Sequence, residues 1–537
     1  MKTLLYNFYI ASFLLVSIVS CTDDFEDVNT NPFGVSQKQS EADFSNLKAP
    51  FKNIFLNIYR YTPTWHTQLQ HNLNADTFCG YMTPPRPFAG GANTTNYAFI
   101  DFWDQWAWDI PFSEKGVMQN FNDIKKLTED RFPTIYAVAQ ILRVETMHRV
   151  TDVYGPIVYS RYGDLSVSNA VFDSQEQVYD LFFEELDAAI IQLVSDKNNG
   201  QLANFDFAYS GNVSNWIRFA NTLRLRLAMR IVNVNPQKAK LEGEKSINHP
   251  EGLLLLNSQN FIVNGGAIHP LTVFNSSWND TRMNASMESF LVGYNDPRGG
   301  ILFQNSEVTP GELKGIRSGM PLLNQYSDEI SQKEDYTPFS KLGKMFDADE
   351  NPTTSITLMT AAEAYFLQAE AALRGWSGAG DAQSNYETGI QISFGQVNAP
   401  NSTEYILDNI STPSDYIDPV NPEHNINKQT SLTVAWNAGD DQETKLEKII
   451  TQKWIAIFPD GQEAWSEFRR TGYPKIFPVV VNNSNGTVDT NIQVRRLPFP
   501  ASQRTANPIG VEQAKGLLKG PDGGGTRLWW DVEGGNF

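Results

Sequence analysis

Apolar residues along this chain recur every three to four positions over several long windows, the spacing of one face of an α-helix. From Phe132 to Val150, Ile135, Ala139, Leu142 and Thr146 line one face, and Pro133 stands where a first helical turn tolerates proline. Ser174 and Gln177 have the spacing of a capping box, ahead of a stripe formed by Val178, Phe182, Leu186, Ala189 and Leu193. Trp216, Phe219, Ala220, Leu223, Leu227 and Ile231 form another stripe, whose opposite face carries Arg218, Arg224 and Arg226. In an acidic chain these arginines are expected to form ion pairs.

Between Met359 and Phe394 two helices follow in quick succession. Ala362, Tyr365, Phe366, Ala369, Leu373 and Trp376 mark the first, with Gly375 as its stop; Asp381 caps the second, which carries Ala382, Tyr386, Ile390 and Phe394. Small alanines where the pair must approach give the layout of a tetratricopeptide-like unit. Leu446 to Phe458 is a further helix, broken at Pro459-Asp460-Gly461 and resumed from Glu463 to Arg470 until Gly472. Asn-, Gly- and Pro-rich stretches near 74–100, 235–330, 395–440 and 477–525 read as long irregular insertions, and binding is the usual work of such loops. The predicted fold is all-α, with helix pairs carrying irregular insertions.

At 537 residues and a formal charge of −19, the chain lacks the basic clusters that nucleic acid or an anionic membrane surface requires. A neutral or weakly polar ligand suits it better. The only cysteines are Cys21 and Cys79, and Cys79 reads as a small buried apolar residue. The first 20 residues have one lysine and an apolar run from Phe8 to Val19, shorter than the roughly 20 residues a membrane span needs. This is the shape of a secretory leader. Ile18-Val19-Ser20-Cys21 resembles a bacterial lipobox, which predicts cleavage before Cys21 and its acylation; an ordinary signal peptide with an incidental cysteine is the alternative. An acidic tether, Thr22 to Asp27, follows within a leader segment of residues 21–40.

Chemistry-bearing motifs are missing from the sequence. The six histidines form no His-Glu-x-x-His pattern, and neither a Gly-x-Ser-x-Gly elbow nor a phosphate loop occurs. Asp347, Asp349 and Asn351 open like a calcium loop, but Pro352 and Leu358 stand where Gly and Glu are needed, so an exposed acidic turn is expected. Nothing singles out a glycosidase pair among 61 carboxylates. No catalytic residue, cofactor or metal ligand is assigned. The candidate ligand site is an aromatic shelf on the irregular loops: Tyr81, Trp278 and Tyr294, with Arg86 and Asn275 as polar partners. Sugar rings stack their C–H faces on aromatic rings while a few polar groups orient the hydroxyls. The Trp103, Trp106 and Trp108 cluster lies in an apolar run and reads as core.

Several segments carry a family resemblance. Asp24 to Pro32 (DFEDVNTNP), Thr151 to Ile157 (TDVYGPI), Trp216 to Arg230 (WIRFANTLRLRLAMR), Met359 to Trp376 (MTAAEAYFLQAEAALRGW) and Lys448 to Pro474 are similar to the SusD/RagB nutrient-binding lipoproteins, in a plausible order. So are Arg495 to Pro500 and Leu528 to Asp531. The chain departs from the family at Ile157-Val158, where Pro-Tyr is common. The resemblance implies a right-handed α-α superhelix with tetratricopeptide-like pairs, one domain over residues 41–537, and a lipid anchor in the outer membrane exposed at the cell surface. It further implies capture of oligosaccharide and delivery to a SusC-like TonB-dependent transporter. Ligand residues in this family lie on divergent loops, so none carries over by identity. Other readings are a peptide or other nutrient as ligand, a surface glycoside hydrolase, and a helical adaptor.

Overall fold

The computed structural model describes residues 44–86, 94–167, 169–320 and 335–537. Two compact units divide the chain, Met1–Ala49 and Pro50–Phe537. The leader, Cys21 and the acidic tether lie outside the described residues; residues 45–49 begin the helix Ser45–Ile58.

Eight helices frame the second unit: α1 Pro133–Tyr154, α2 Gln175–Ser195, α3 Val213–Arg230, α4 Pro236–Ile247, α5 Ala361–Leu373, α6 Ala382–Val397, α7 Gln442–Ala456 and α8 Gly461–Thr471. Sequence neighbours pack as pairs, α1 on α2, α3 on α4 and α5 on α6, while α2–α3, α3–α5 and α5–α7 contacts join the pairs. The fold is all-α, with helix pairs of the predicted kind and few short strands.

Local chemistry explains the boundaries. The Ser174 hydroxyl accepts from the Gln177 amide at 3.2 Å, and the Gln177 side chain accepts from the Ser174 amide at 3.0 Å, so the capping box starts α2. Its stripe from Val178 to Leu193 is buried. Asp381 caps α6 by accepting from the Ser384 amide at 2.8 Å. Where α5 meets α6, a Cβ on Gly389 would lie 2.9 Å from the Phe366 ring, so only glycine permits this approach. Gly472, at φ +76°, ends α8 in the left-handed conformation.

α1 and α8 are buried nearly all round, including their charged residues. Those charges form one network across five helices. Arg226 meets Glu363 at 2.7 Å, Arg230 meets Glu467 at 2.6 Å, and Lys453 meets Glu463 at 3.0 Å. Arg470 meets Glu370 at 2.7 Å, and Arg149 meets Asp460 at 2.8 Å. Desolvating each ion costs several kcal/mol, which only multiple well-placed partners offset. The arginines of α3 pair as expected, Arg218 with Glu251 and Arg224 with Asp187.

Among the described residues, four short strands make two antiparallel ribbons. β1 (Met82–Thr83) pairs with β3 (Arg282–Met283), and β2 (Phe261–Asn264) with β4 (Ser355–Met359). The insertions are less irregular than expected. The 235–330 stretch contains α4 and a helix at Ala285–Gly293, and the 477–525 stretch contains helices at Ala501–Ala506 and Pro508–Lys515. The polar composition of α4 hides its apolar period, although Asn235 before Pro236 is a legible cap.

Candidate ligand-binding site

The sequence-predicted shelf does not assemble. Tyr81 is fully buried: its ring packs 5.3 Å from Trp454 and 5.2 Å from Phe458, and its hydroxyl donates to the Trp454 carbonyl. Tyr294 is enclosed by Phe290 and Tyr405. Asn275 is also fully buried, donating to the Phe346 carbonyl at 2.9 Å and accepting from the Leu342 amide at 2.9 Å. None of these three has a surface to offer a ligand. Pro/Gly-rich flanks such as those of Tyr81, and a polar run such as that around Asn275, mark a turn or loop, not which side of it faces water.

Trp278 and Arg86 do reach the surface. Trp278 is 40% exposed, with one side resting on Phe274 at 5.6 Å. Exposed Arg86 donates from Nε to the Thr337 hydroxyl at 3.2 Å, and buried Arg282 donates to the Thr337 carbonyl at 2.8 Å. The β1–β3 ribbon places the Arg86 loop beside the one bearing Trp278.

A second aromatic group stands close in the chain's connectivity. Trp65 (38% exposed) and Phe102 (53% exposed) share a cluster with Trp106 and His66. Trp65 meets Trp106 edge-on at 4.7 Å, His66 stacks on Trp106 at 4.0 Å, and Trp65 lies nearly parallel to Phe102 at 6.2 Å. Of the tryptophans, Trp65 and Trp278 alone are strongly exposed among the described residues. Trp108 is core as expected, but Trp106 is only half-buried and belongs to this surface cluster.

Both exposed tryptophans adjoin an uncommon local structure. Trp65 lies on the short helix Thr64–Thr67, which runs into a π-helix at Gln68–Asn72; Trp278 terminates a second π-helix at Val273–Ser277. π-helices are rare and recur at functional sites. The Gln68 amide donates to Asp280 at 3.0 Å, tying the two segments together.

Electrostatics keep the cluster neutral. Burial, reinforced by Arg60, pushes the His66 imidazolium down to about 4, so the ring is an uncharged aromatic at neutral pH. Among the described residues, His66 Nδ1, Trp106 Nε1 and Arg60 Nε are buried without a hydrogen-bond partner. The exposed ring faces of Trp65 and Phe102 suit a neutral polyhydroxylated ligand. Sequence reasoning missed Trp65 and Phe102; the only signal was Trp65 directly after Pro63-Thr64, inside an otherwise unremarked segment.

Cys79 is fully buried, and burial pushes its thiol well up, as an inert core residue requires. Asp347 sits in a turn, accepting from the Gln304 amide and the Ser276 hydroxyl. Among the described residues no helix is long and apolar enough to cross a membrane.

Solved structures with this fold are close relatives. A chitin-binding SusD homolog from Flavobacterium johnsoniae is 45% identical, with a TM-score of 0.87, covering 92% of this chain and 100% of its own. SusD homologs from Bacteroides vulgatus (36% identity, TM-score 0.85, 93% and 100% covered) and Bacteroides uniformis (36%, 0.82, 91% and 99%) agree. No curated protein sequence matches the chain. The SusD-like family, described as Susd and RagB outer membrane lipoprotein, matches residues 27–531, and the chain belongs to it.

Proposed function

We propose that this chain is a non-catalytic, surface-exposed lipoprotein that captures an oligosaccharide and hands it to a TonB-dependent outer-membrane transporter. The observation that carries the ligand class is the exposed, uncharged aromatic cluster of Trp65, Phe102 and Trp106, linked through Gln68–Asp280 to Trp278. Chitin-type oligosaccharide is the first ligand to test, because the homolog 45% identical to this chain is chitin-binding. N-acetylglucosamine units present flat C–H faces to the exposed rings of Trp65 and Phe102. Acylation at Cys21 anchors the protein in the outer membrane, and the acidic tether after it directs surface display.

Titration calorimetry with chitooligosaccharides, against maltooligosaccharides of equal length, tests this reading. Saturable binding of the chitin series without release of shorter sugars is expected. Hydrolysis products, or no heat from any glycan, would overturn it. Recovery of a large barrel protein on detergent pull-down from native membranes tests the transporter; repeated recovery of the lipoprotein alone counts against it.

A further inference from the structure

Away from the aromatic cluster, the C-terminal segment and α8 enclose a cavity of about 580 Å³, a size typical of small-molecule sites. In a chain of net charge −19 its wall is cationic: Arg469, Arg470, Lys475, Arg495 and Arg527 face a single carboxylate, Glu533. Three of these charges are already matched. Arg470 is held by Glu370 and Glu467, Arg495 by Asp531 at 2.6 Å, and Arg527 by Asp531 at 2.7 Å and Glu533 at 3.3 Å.

Arg469 and Lys475 are not. Arg469 is almost wholly buried, yet among the described residues no carboxylate lies within ion-pair distance of it. Its N–H groups go to neutral oxygens: Nε to the Trp465 carbonyl, Nη1 to the carbonyls of Asp152 and Arg495, and Nη2 to the Ser466 hydroxyl. That uses four of five donors and leaves one on Nη2. Trp465 and Trp530 cover the guanidinium at 3.5 and 5.0 Å. Burial, with repulsion from Arg495, outweighs the longer-range attraction of Asp152 and Asp531 and pushes Arg469 down to about 9. Lys475 is exposed, its ammonium resting over the Tyr473 ring at 4.5 Å.

We infer that this cavity binds a small organic acid through its carboxylate, with Arg469 and Lys475 as the cationic partners. A buried guanidinium with no carboxylate in direct contact is costly, and a bound carboxylate offsets that cost. One remaining guanidinium N–H and one ammonium suit a single negative charge. Glu533 on the wall repels a second one, which disfavours phosphate dianion. The site does not depend on the glycan reading, because it shares no residue with the aromatic cluster.

Calorimetry on the mature chain with galacturonate, galactose and inorganic phosphate tests the proposal. Galacturonate is expected to bind, its neutral counterpart galactose to give no heat, and phosphate to bind more weakly. Lys475→Gln, at an exposed position that leaves the core intact, is expected to weaken galacturonate binding by about tenfold on the scale of a lost charge-assisted contact, with an unchanged melting temperature. Chitooligosaccharide binding by this variant is expected to match the parent, which separates the two sites. No heat with galacturonate, equal binding of galactose, tighter binding of phosphate, or unchanged affinity in Lys475→Gln would each overturn the assignment.

Discussion

Single residues in this protein divide sharply by which side faces water. Trp278 and Trp65 each keep an exposed ring face, so truncation removes a binding surface and little packing. Trp65→Ala or Trp278→Ala is expected to weaken chitooligosaccharide binding by about 1–3 kcal/mol, with the melting temperature nearly preserved. Calorimetry beside thermal melts checks both halves; normal binding in both variants would remove these rings from the site. Tyr81 gives the opposite pattern. Its ring lies between Trp454 and Phe458 and its hydroxyl is satisfied inside, so Tyr81→Ala is expected to cost about 3–5 kcal/mol of stability, read from denaturant unfolding. All three are aromatic residues in segments without clear helical periodicity, and nothing local in the sequence separates them.

At the scale of elements, the helices follow their sequence signals closely. Ala369, read as a contact position, is fully buried on α5, where that helix packs against its neighbours. Ala369→Arg forces a long charged side chain into that packing, and a loss of several kcal/mol is expected from overpacking and desolvation. An unaltered melting temperature would contradict the packing. The cap of α2 predicts a smaller effect: Ser174→Ala removes one arm of the capping box and should cost about 1 kcal/mol. Elements with weaker apolar stripes carry less local signal. α4 has the sequence PQKAKLEGEKSI and buries only Ala239, Glu242, Gly243 and Ser246, so its period is carried by residues that do not look apolar.

For the whole molecule, the buried charge network sets the response to acid. Burial alone would raise the Glu145 and Glu463 carboxylates, but Arg149 and His148 around the first, and Arg230 and Lys453 around the second, outweigh it and hold both at about 2. Their ordinary value is 4.5, so their stabilisation is complete above that pH and is lost as pH falls towards 2. Asp76 and Glu288 act in the opposite sense. Burial lifts each to about 7, so they favour the folded state below their ordinary values of 3.8 and 4.5 and lose that contribution as pH rises to 7. Below pH 4 the contribution of Asp76 and Glu288 no longer changes, while the network's loss continues. The melting temperature is therefore expected to fall steeply between about pH 4.5 and 2, by an amount on the order of several kcal/mol in stability. A flat profile through that window would contradict the pairing. Membrane attachment is a separate property of the whole chain. Cys21→Ala is expected to release the protein from the membrane fraction, and unchanged fractionation would sink the acylation proposal.

The sequence by itself determined the helical class, the approximate extents of seven of the eight framing helices and the family, because periodicity, caps and stops act over a few residues and the family's segments are contiguous. Arg226 could be read as ion-paired, since charge in a helix flanked by apolar stripes needs a partner. Which carboxylates answered it was decided only by the tertiary structure, with Glu363 lying 137 positions away. The ligand surface belongs to the same class of fact. Trp65 and Trp278 are linked through a hydrogen bond between residues 68 and 280, and their exposure depends on what packs behind each ring. Burial is a property of the folded neighbourhood rather than of residue type, which is why Tyr81, expected at the surface, is core while Trp65, which no local signal singles out, is exposed.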